Sequence, residues 1–145
     1  MRVPALITAL AVAATITASA IAPARAEPSA DDRAAFKALV QQQLDAFRRD
    51  DAAGAYSHAA PGIRQMFPSP DVFMTMVRQA YPPVYRSQSV AFGEVVDGPL
   101  GPMEKVYLTA SDGSGWIALY SFQKQADGTW KISGCQLLKD EAPTI

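Results

Sequence analysis

The segment MVRQAYPPVYRSQS, Met76 to Ser89, sets Tyr81 and Tyr85 around two prolines, with Arg78 and Arg86 on either side. Phenol hydroxyls donate and accept hydrogen bonds, and a guanidinium meets a carboxylate as a planar fork. With Arg64 added, these groups suit the rim of a small-molecule pocket, where apolar walls carry a few convergent polar groups. Each proline fixes its own φ and restrains its predecessor, so Tyr81 to Tyr85 is predicted to run extended and stiff. The same stiffness suits a plain structural corner whose tyrosines pack on a neighbouring element.

Other reactive chemistry is sparse. His58 is the only histidine and Cys135 the only cysteine. His58 closes a helical stretch just before AAP, where a cationic imidazole would face the negative end of the helix dipole. A general base needs a substrate proton or a nucleophile within reach, and the surrounding sequence supplies neither. SDGSGW is not the Gly-x-Ser-x-Gly elbow of a hydrolase. Zinc wants several Cys or His ligands. His58 and Cys135 with Met66, Met74, Met76 and Met103 amount at most to a soft copper(I) set, and methionines at helical spacing are ordinarily core residues. Neither a phosphate-cradling Gly-rich loop nor a dinucleotide fingerprint is present. The expectation is no catalytic residue, no metal and no cofactor.

Helices must position the first half of these residues. Ser29 followed by Asp31 and Asp32 reads as a helix start. Phe36, Val40, Leu44 and Phe47 then recur at helical spacing as one apolar stripe. Asp50 or Asp51 can cap a second helix through Ala52, Ala55 and Tyr56, and Pro61 to Phe67 can form a turn of its own. Ser69-Pro70-Asp71 starts a further helix with Phe73, Met76, Val77 and Ala80 on one face, ended by Pro82. From Ser87 the period becomes two. Val90, Phe92 and Val96 form one face of a first strand, DGPLGP reads as a loop, and strands follow at Met103 to Ala110, Trp116 to Lys124 and Thr129 to Leu138. Short connections make them antiparallel neighbours. Helices first and hairpin-linked strands afterwards give an α+β fold, with N-terminal helices packed on one face of an antiparallel sheet of about four strands. In the last strand, a bulge at Gly134 would turn Cys135 and Leu137 toward the apolar face.

The ends of the chain bear on compartment. Leu6 to Ala22 carries no charge across 17 residues, after a basic start and before Ala24-Arg25-Ala26. That is the pattern of a secretory signal peptide over 1–26, cleaved after Ala26. Residues 27–145 are then expected to form a single α+β domain, periplasmic or secreted, with no membrane attachment. Removing Arg2 and Arg25 leaves 11 basic against 14 acidic residues, net −3. No basic stripe survives, which argues against nucleic acid as a partner. One cysteine permits no internal disulfide, so stability must come from an apolar core.

DDAAGAYSHAAPGIRQMF, FMTMVRQAYPPVYR and DGTWKISGCQLL resemble a small family of exported bacterial domains of unknown function. The order of elements is similar to the superfamily of nuclear transport factor two, SnoaL-type cyclases and ketosteroid isomerase. That resemblance implies a cone-shaped, cystatin-like fold whose helices close over the sheet and leave a pocket at the wide end. It carries over no isomerase residue. Asp97, Asp112 and Asp127 fall in turns, while Glu94 and Glu104 lie in strands whose faces the sequence leaves open. Tyr81, Tyr85, Arg64 and Arg78 are the candidate ligand-binding residues at the mouth, with Tyr107, Trp116 and Tyr120 on the strands if their face is the concave one. Both sheet faces read as apolar, so a homodimer through the outer face is expected. The favoured reading is a non-catalytic, self-associating domain that binds a small apolar or amphipathic ligand. The alternative is a small isomerase- or cyclase-like enzyme with a tyrosine oxyanion donor.

Overall fold

The computed structural model describes residues 27–141; the leader read over 1–26 lies outside the described residues. Helices α1 (Ala30–Arg48), α2 (Ala52–Ser57), α3 (Pro61–Met66), α4 (Pro70–Ala80) and α5 (Pro82–Tyr85) precede four strands. These are β1 (Ser87–Gly98), β2 (Gly101–Ala110), β3 (Gly115–Lys124) and β4 (Trp130–Lys139), paired antiparallel in sequence order as one curved open sheet. The α+β architecture read from the sequence is the one observed. No helix among the described residues is long and apolar enough to cross a membrane.

The helix starts follow their capping signals. Ser29 and Asp32 form a reciprocal capping box, Asp51 caps α2 through the Gly54 amide, and Ser69 caps α4 with Pro70 at its first turn. Each satisfies amides that the helix itself leaves unpaired. The α1 stripe of Phe36, Val40, Leu44 and Phe47 is buried as the spacing requires. It meets Val106, Leu108, Ala118, Tyr120, Phe122 and Ile132 from the inner face of the sheet. Phe36 stacks on Phe122 with ring centres 4.3 Å apart and meets Trp130 edge-on at 4.8 Å. The Trp130 indole donates to Asp32 at 2.8 Å, fastening the start of β4 to the start of α1.

Four expectations need correction. Tyr81 to Tyr85 is not extended, because Pro82 to Tyr85 forms the short helix α5, closed by Val84 and Tyr85 amides bonding to Tyr81 O. A φ near −65° fits a helix's first turn as well as an extended chain, and there the missing proline N–H goes unneeded. DGPLGP contracts to a tight turn, with Gly98 paired to Gly101 and Pro102 inside β2. Pro102 sits one step beyond the β3 pairing, which begins at Met103, so no ladder bond is lost there. On α4, Met74 is buried and Ala80 exposed, since the helix rests chiefly on α2. In β1 a register shift between Phe92 and Val95 turns Val95, not Val96, onto the inner face.

The bulge expected in β4 is present: Phe122 pairs with Ile132 but Ser121 pairs with Gly134, leaving Ser133 as the extra residue. Cys135 and Leu137 consequently pack against the core. A Cβ on Gly134 would stand 2.8 Å from Ser121 Oγ, so glycine lets the strands approach here. The outer edge of β4 is met by the segment after α2, where Ala59 bridges Ile132.

Phe36 is fully buried between Phe122 and Trp130. Phe36→Ala is expected to cost about 3–5 kcal/mol, the usual cost of truncating a core phenylalanine. Urea unfolding followed by circular dichroism measures it, and a cost below about 1 kcal/mol would place Phe36 outside the core.

Candidate functional site

Inside the fold lies a cavity of ≈ 120 Å³. Tyr120, Ile132, Ser133, Gly134 and Cys135 of β3 and β4 form its floor. Gln43 and Phe47 of α1 close one side, and Phe73, Met76, Val77 and Tyr81 from α4 and its end close another. Ile63, Met66 and Phe67 stand on the remaining side, and Met66 is 68% exposed, which marks the mouth. No lining residue carries a charge at neutral pH.

The polar groups here are few. Gln43 is buried within the α1 stripe and donates its amide nitrogen to Ala55 O at 3.4 Å, so it is a spacer between α1 and α2 as well as a cavity residue. The Tyr81 hydroxyl donates to Cys135 O at 3.0 Å. Tyr120 is fully buried, and its hydroxyl has no hydrogen-bond partner among the described residues. Burial, and then the neighbouring Cys135 thiol, push the Tyr120 hydroxyl far above the usual phenol range. Burial likewise pushes the Cys135 thiol up to about 12, so it is neutral at physiological pH.

Of the seven candidate ligand-binding residues, the structure brings Tyr81 and Tyr120 together at the cavity. The others are engaged elsewhere. Arg64 donates to Tyr56, Ser57 and Ala59 carbonyls and lies over the Tyr56 ring, capping the end of α2. Arg78 and Arg86 flank Tyr85, and all three converge on Asp50, which the Tyr85 hydroxyl also reaches. Asp50 has φ 53, a left-handed conformation that aspartate tolerates better than most residues. This surface cluster ties α1, α4 and α5 together. Tyr107 lies on the outer sheet face, over Gly93, whose missing Cβ leaves room for the ring. Trp116 is on the inner face but at the far end, beside Pro82 and Pro83, with its indole donating to Ser114 Oγ at 2.9 Å.

His58 does occupy the cap position of α2, but not as a cation. Burial and then the Lys131 ammonium hold its imidazole below the ordinary histidine range. Lys131 and Arg64 already serve the carbonyls there, Lys131 at 2.8 Å from Ser57 O. Among the described residues, no group of three or more His, Cys, Asp or Glu is placed to hold a metal ion.

Sequence reasoning missed Gln43 and Glu104. The α1 spacing could have found Gln43, one residue before Leu44. Glu104 faces inward on β2, 4% exposed, with Oε2 lacking a hydrogen-bond partner among the described residues. Burial raises its pKa from 4.5 to about 7, partly opposed by Lys37. It does not line the cavity.

Two predictions follow from these titrating groups. A carboxyl with a raised folded pKa leaves stability intact at low pH and lowers it as pH climbs from about 4.5 through about 7. Glu104→Gln, which mimics the protonated form, should therefore match the parent at pH 4.5 and exceed it by on the order of 2 kcal/mol at pH 8. Urea midpoints at the two pH values give the comparison, and equal differences at both would remove burial of the charge as the cause. For Cys135, a thiol pKa near 12 against an ordinary 9 implies about a thousandfold less thiolate at pH 8. Labelling by a disulfide reagent should be slowed accordingly in the native protein and reach the free-thiol rate in urea.

A search of curated proteins finds no match to this chain. The model of the family described as a domain of unknown function (DUF4864) matches residues 29–145, and the chain belongs to that family.

Proposed function

We propose that this is an exported, non-catalytic domain that binds a small apolar or amphipathic molecule in the cavity between helices and sheet, and that pairs with a second copy through the outer sheet face. The cavity carries the ligand reading: it is concave, apolar on most sides, and supplied with a few polar groups from Tyr81, Tyr120 and Gln43. Catalysis of the isomerase kind would require a carboxylate base inside the pocket. The buried carboxyl, Glu104, lies outside the cavity, and the shifted groups that do line it, Tyr120 and Cys135 among them, are held neutral, which favours binding over reaction.

Support for pairing comes from the outer face. Tyr107, Ile117 and Leu119 are half-buried there and Leu138 is 41% exposed, with no helix among the described residues packed over them. Cross-strand pairs Tyr107–Ile117 and Ile117–Leu138 make the apolar surface continuous. Association would cover it, as an antiparallel sheet with two apolar faces requires.

Native mass spectrometry of the protein from its own host's exported fraction tests both parts. A dimer carrying a discrete noncovalent mass is expected. A dimer without added mass would refute the ligand, and a monomer at low micromolar concentration would refute the pairing. Leu119→Lys should yield a folded monomer that retains the bound mass.

A further inference from the structure

We propose, resting on the ligand reading above, that the cavity selects a neutral molecule bearing a hydrogen-bond acceptor, a carbonyl or ether oxygen, to which the Tyr120 hydroxyl donates. The absence of a charge from the lining is the first ground. An anionic or cationic ligand would be desolvated there with no opposite charge to meet it. The arginines that could have paired an acid, Arg64, Arg78 and Arg86, are bound to carbonyls, to Asp50 and to the Tyr85 ring.

The second ground is the buried hydroxyl. Leaving a buried donor unmade costs about 1–3 kcal/mol, so a partner for Tyr120 is worth more here than at the surface. The neighbouring floor hydroxyls do not accept from it: Tyr81 donates to the Cys135 carbonyl and Ser133 to Ser121 Oγ at 3.1 Å, and neither oxygen is within hydrogen-bond reach of the Tyr120 hydroxyl. The Cys135 thiol, being protonated, is at best a weak donor toward Tyr120 and a poor acceptor from it. A phenol is a stronger donor than its ring-conjugated oxygen is an acceptor, so the ligand group that complements the unpaired Tyr120 hydroxyl is an acceptor. No proton is transferred: a neutral phenol donates a hydrogen bond and keeps its hydrogen.

Size narrows the class. A cavity of about 150 Å³ lined by apolar side chains accommodates a benzene-sized molecule. The ≈ 120 Å³ here suits a ring or short branched chain of similar scale, with any longer tail leaving past Met66.

Cyclopentanone and its hydrocarbon isostere methylenecyclopentane are suitable probes, titrated by NMR into the purified protein and into Tyr120→Phe. Tyr120→Phe is expected to weaken the ketone about threefold to tenfold, the worth of one neutral hydrogen bond, while leaving the hydrocarbon unchanged or slightly tighter. Both probes binding, with neither affected by the substitution, would overturn the inference and leave the ligand reading standing. Neither probe binding the parent protein would overturn both. Should Tyr120→Phe fail to fold, the infrared carbonyl stretch of cyclopentanone bound to the parent decides. A frequency below that in cyclohexane supports the donated bond, and an equal frequency refutes it.

Discussion

The interior of this domain depends on a one-residue excess in its last strand. Before Ser133, Trp130 and Ile132 face the helices; after it, Cys135 and Leu137 do. A regular strand would carry Gln136 and Leu138 inward in their place. Burying the Gln136 amide without partners would cost a few kcal/mol, and Leu137 would be lost to solvent. The bulge also localises other contacts. Tyr81 bonds the Cys135 carbonyl just beyond it, and the chain after α2 bridges Ile132 just before it. Helix α4, the connection after α2 and the sheet are thus referenced to the same few residues of β4, which are also the cavity floor.

A second set of contacts holds the helices on the opposite side. Asp50 accepts from Tyr85 and pairs with Arg78 and Arg86, while Arg86 also donates to the Phe47 carbonyl at the end of α1. These charges are largely exposed, so their pairwise energies are modest and screened by salt. Their geometric effect is larger than that: they set the angle at which α4 enters α5, and so where Tyr81 points. The tyrosine-proline segment is divided accordingly. Tyr81 faces the cavity, and Tyr85 with its arginines fixes the corner.

How much of this was legible follows from what each residue answers to. The α1 stripe, the capping box, the Ser69 cap and the three hairpins answer to local spacing and turn chemistry, so they could be read directly. Gly134 signalled its bulge because glycine in a strand marks a close approach. The β1 shift near Gly93 and Glu94 was not distinguished in the same way, since its effect is to move Val95 rather than an obvious anchor. Prolines 82 and 83 fit two backbones equally well, and only the docking of α5 against β2 chooses between them. Glu104 shares its face with Val106 and Leu108 by plain alternation, but both faces of β2 carry apolar residues, so which one turns inward was not legible. At the pocket, aromatic type alone could not separate Tyr120 from Tyr107. Tyr120 lies two positions from Ala118 and Tyr107 one from Val106, and register is what sets Val106 opposite Ala118 on the inner face.

The cavity itself bears on whether the fold is shaped for binding. Space of ≈ 120 Å³ that the protein's own side chains leave between α1, α4 and the sheet is costly for a domain of this size. A sealed void of that size would cost about 3 kcal/mol at roughly 24 cal/mol per Å³, against a typical net stability of 5–15 kcal/mol, and the opening at Met66 leaves part of that cost. Closing it would be simple, because Met66, Met76 and Ile63 are flexible or small enough to be replaced by bulkier residues on short elements. A molecule that binds only the folded form returns that free energy through mass action. The same coupling makes Tyr120 informative: its buried hydroxyl adds a polar cost to the steric one, and a neutral acceptor placed against it offsets both at once.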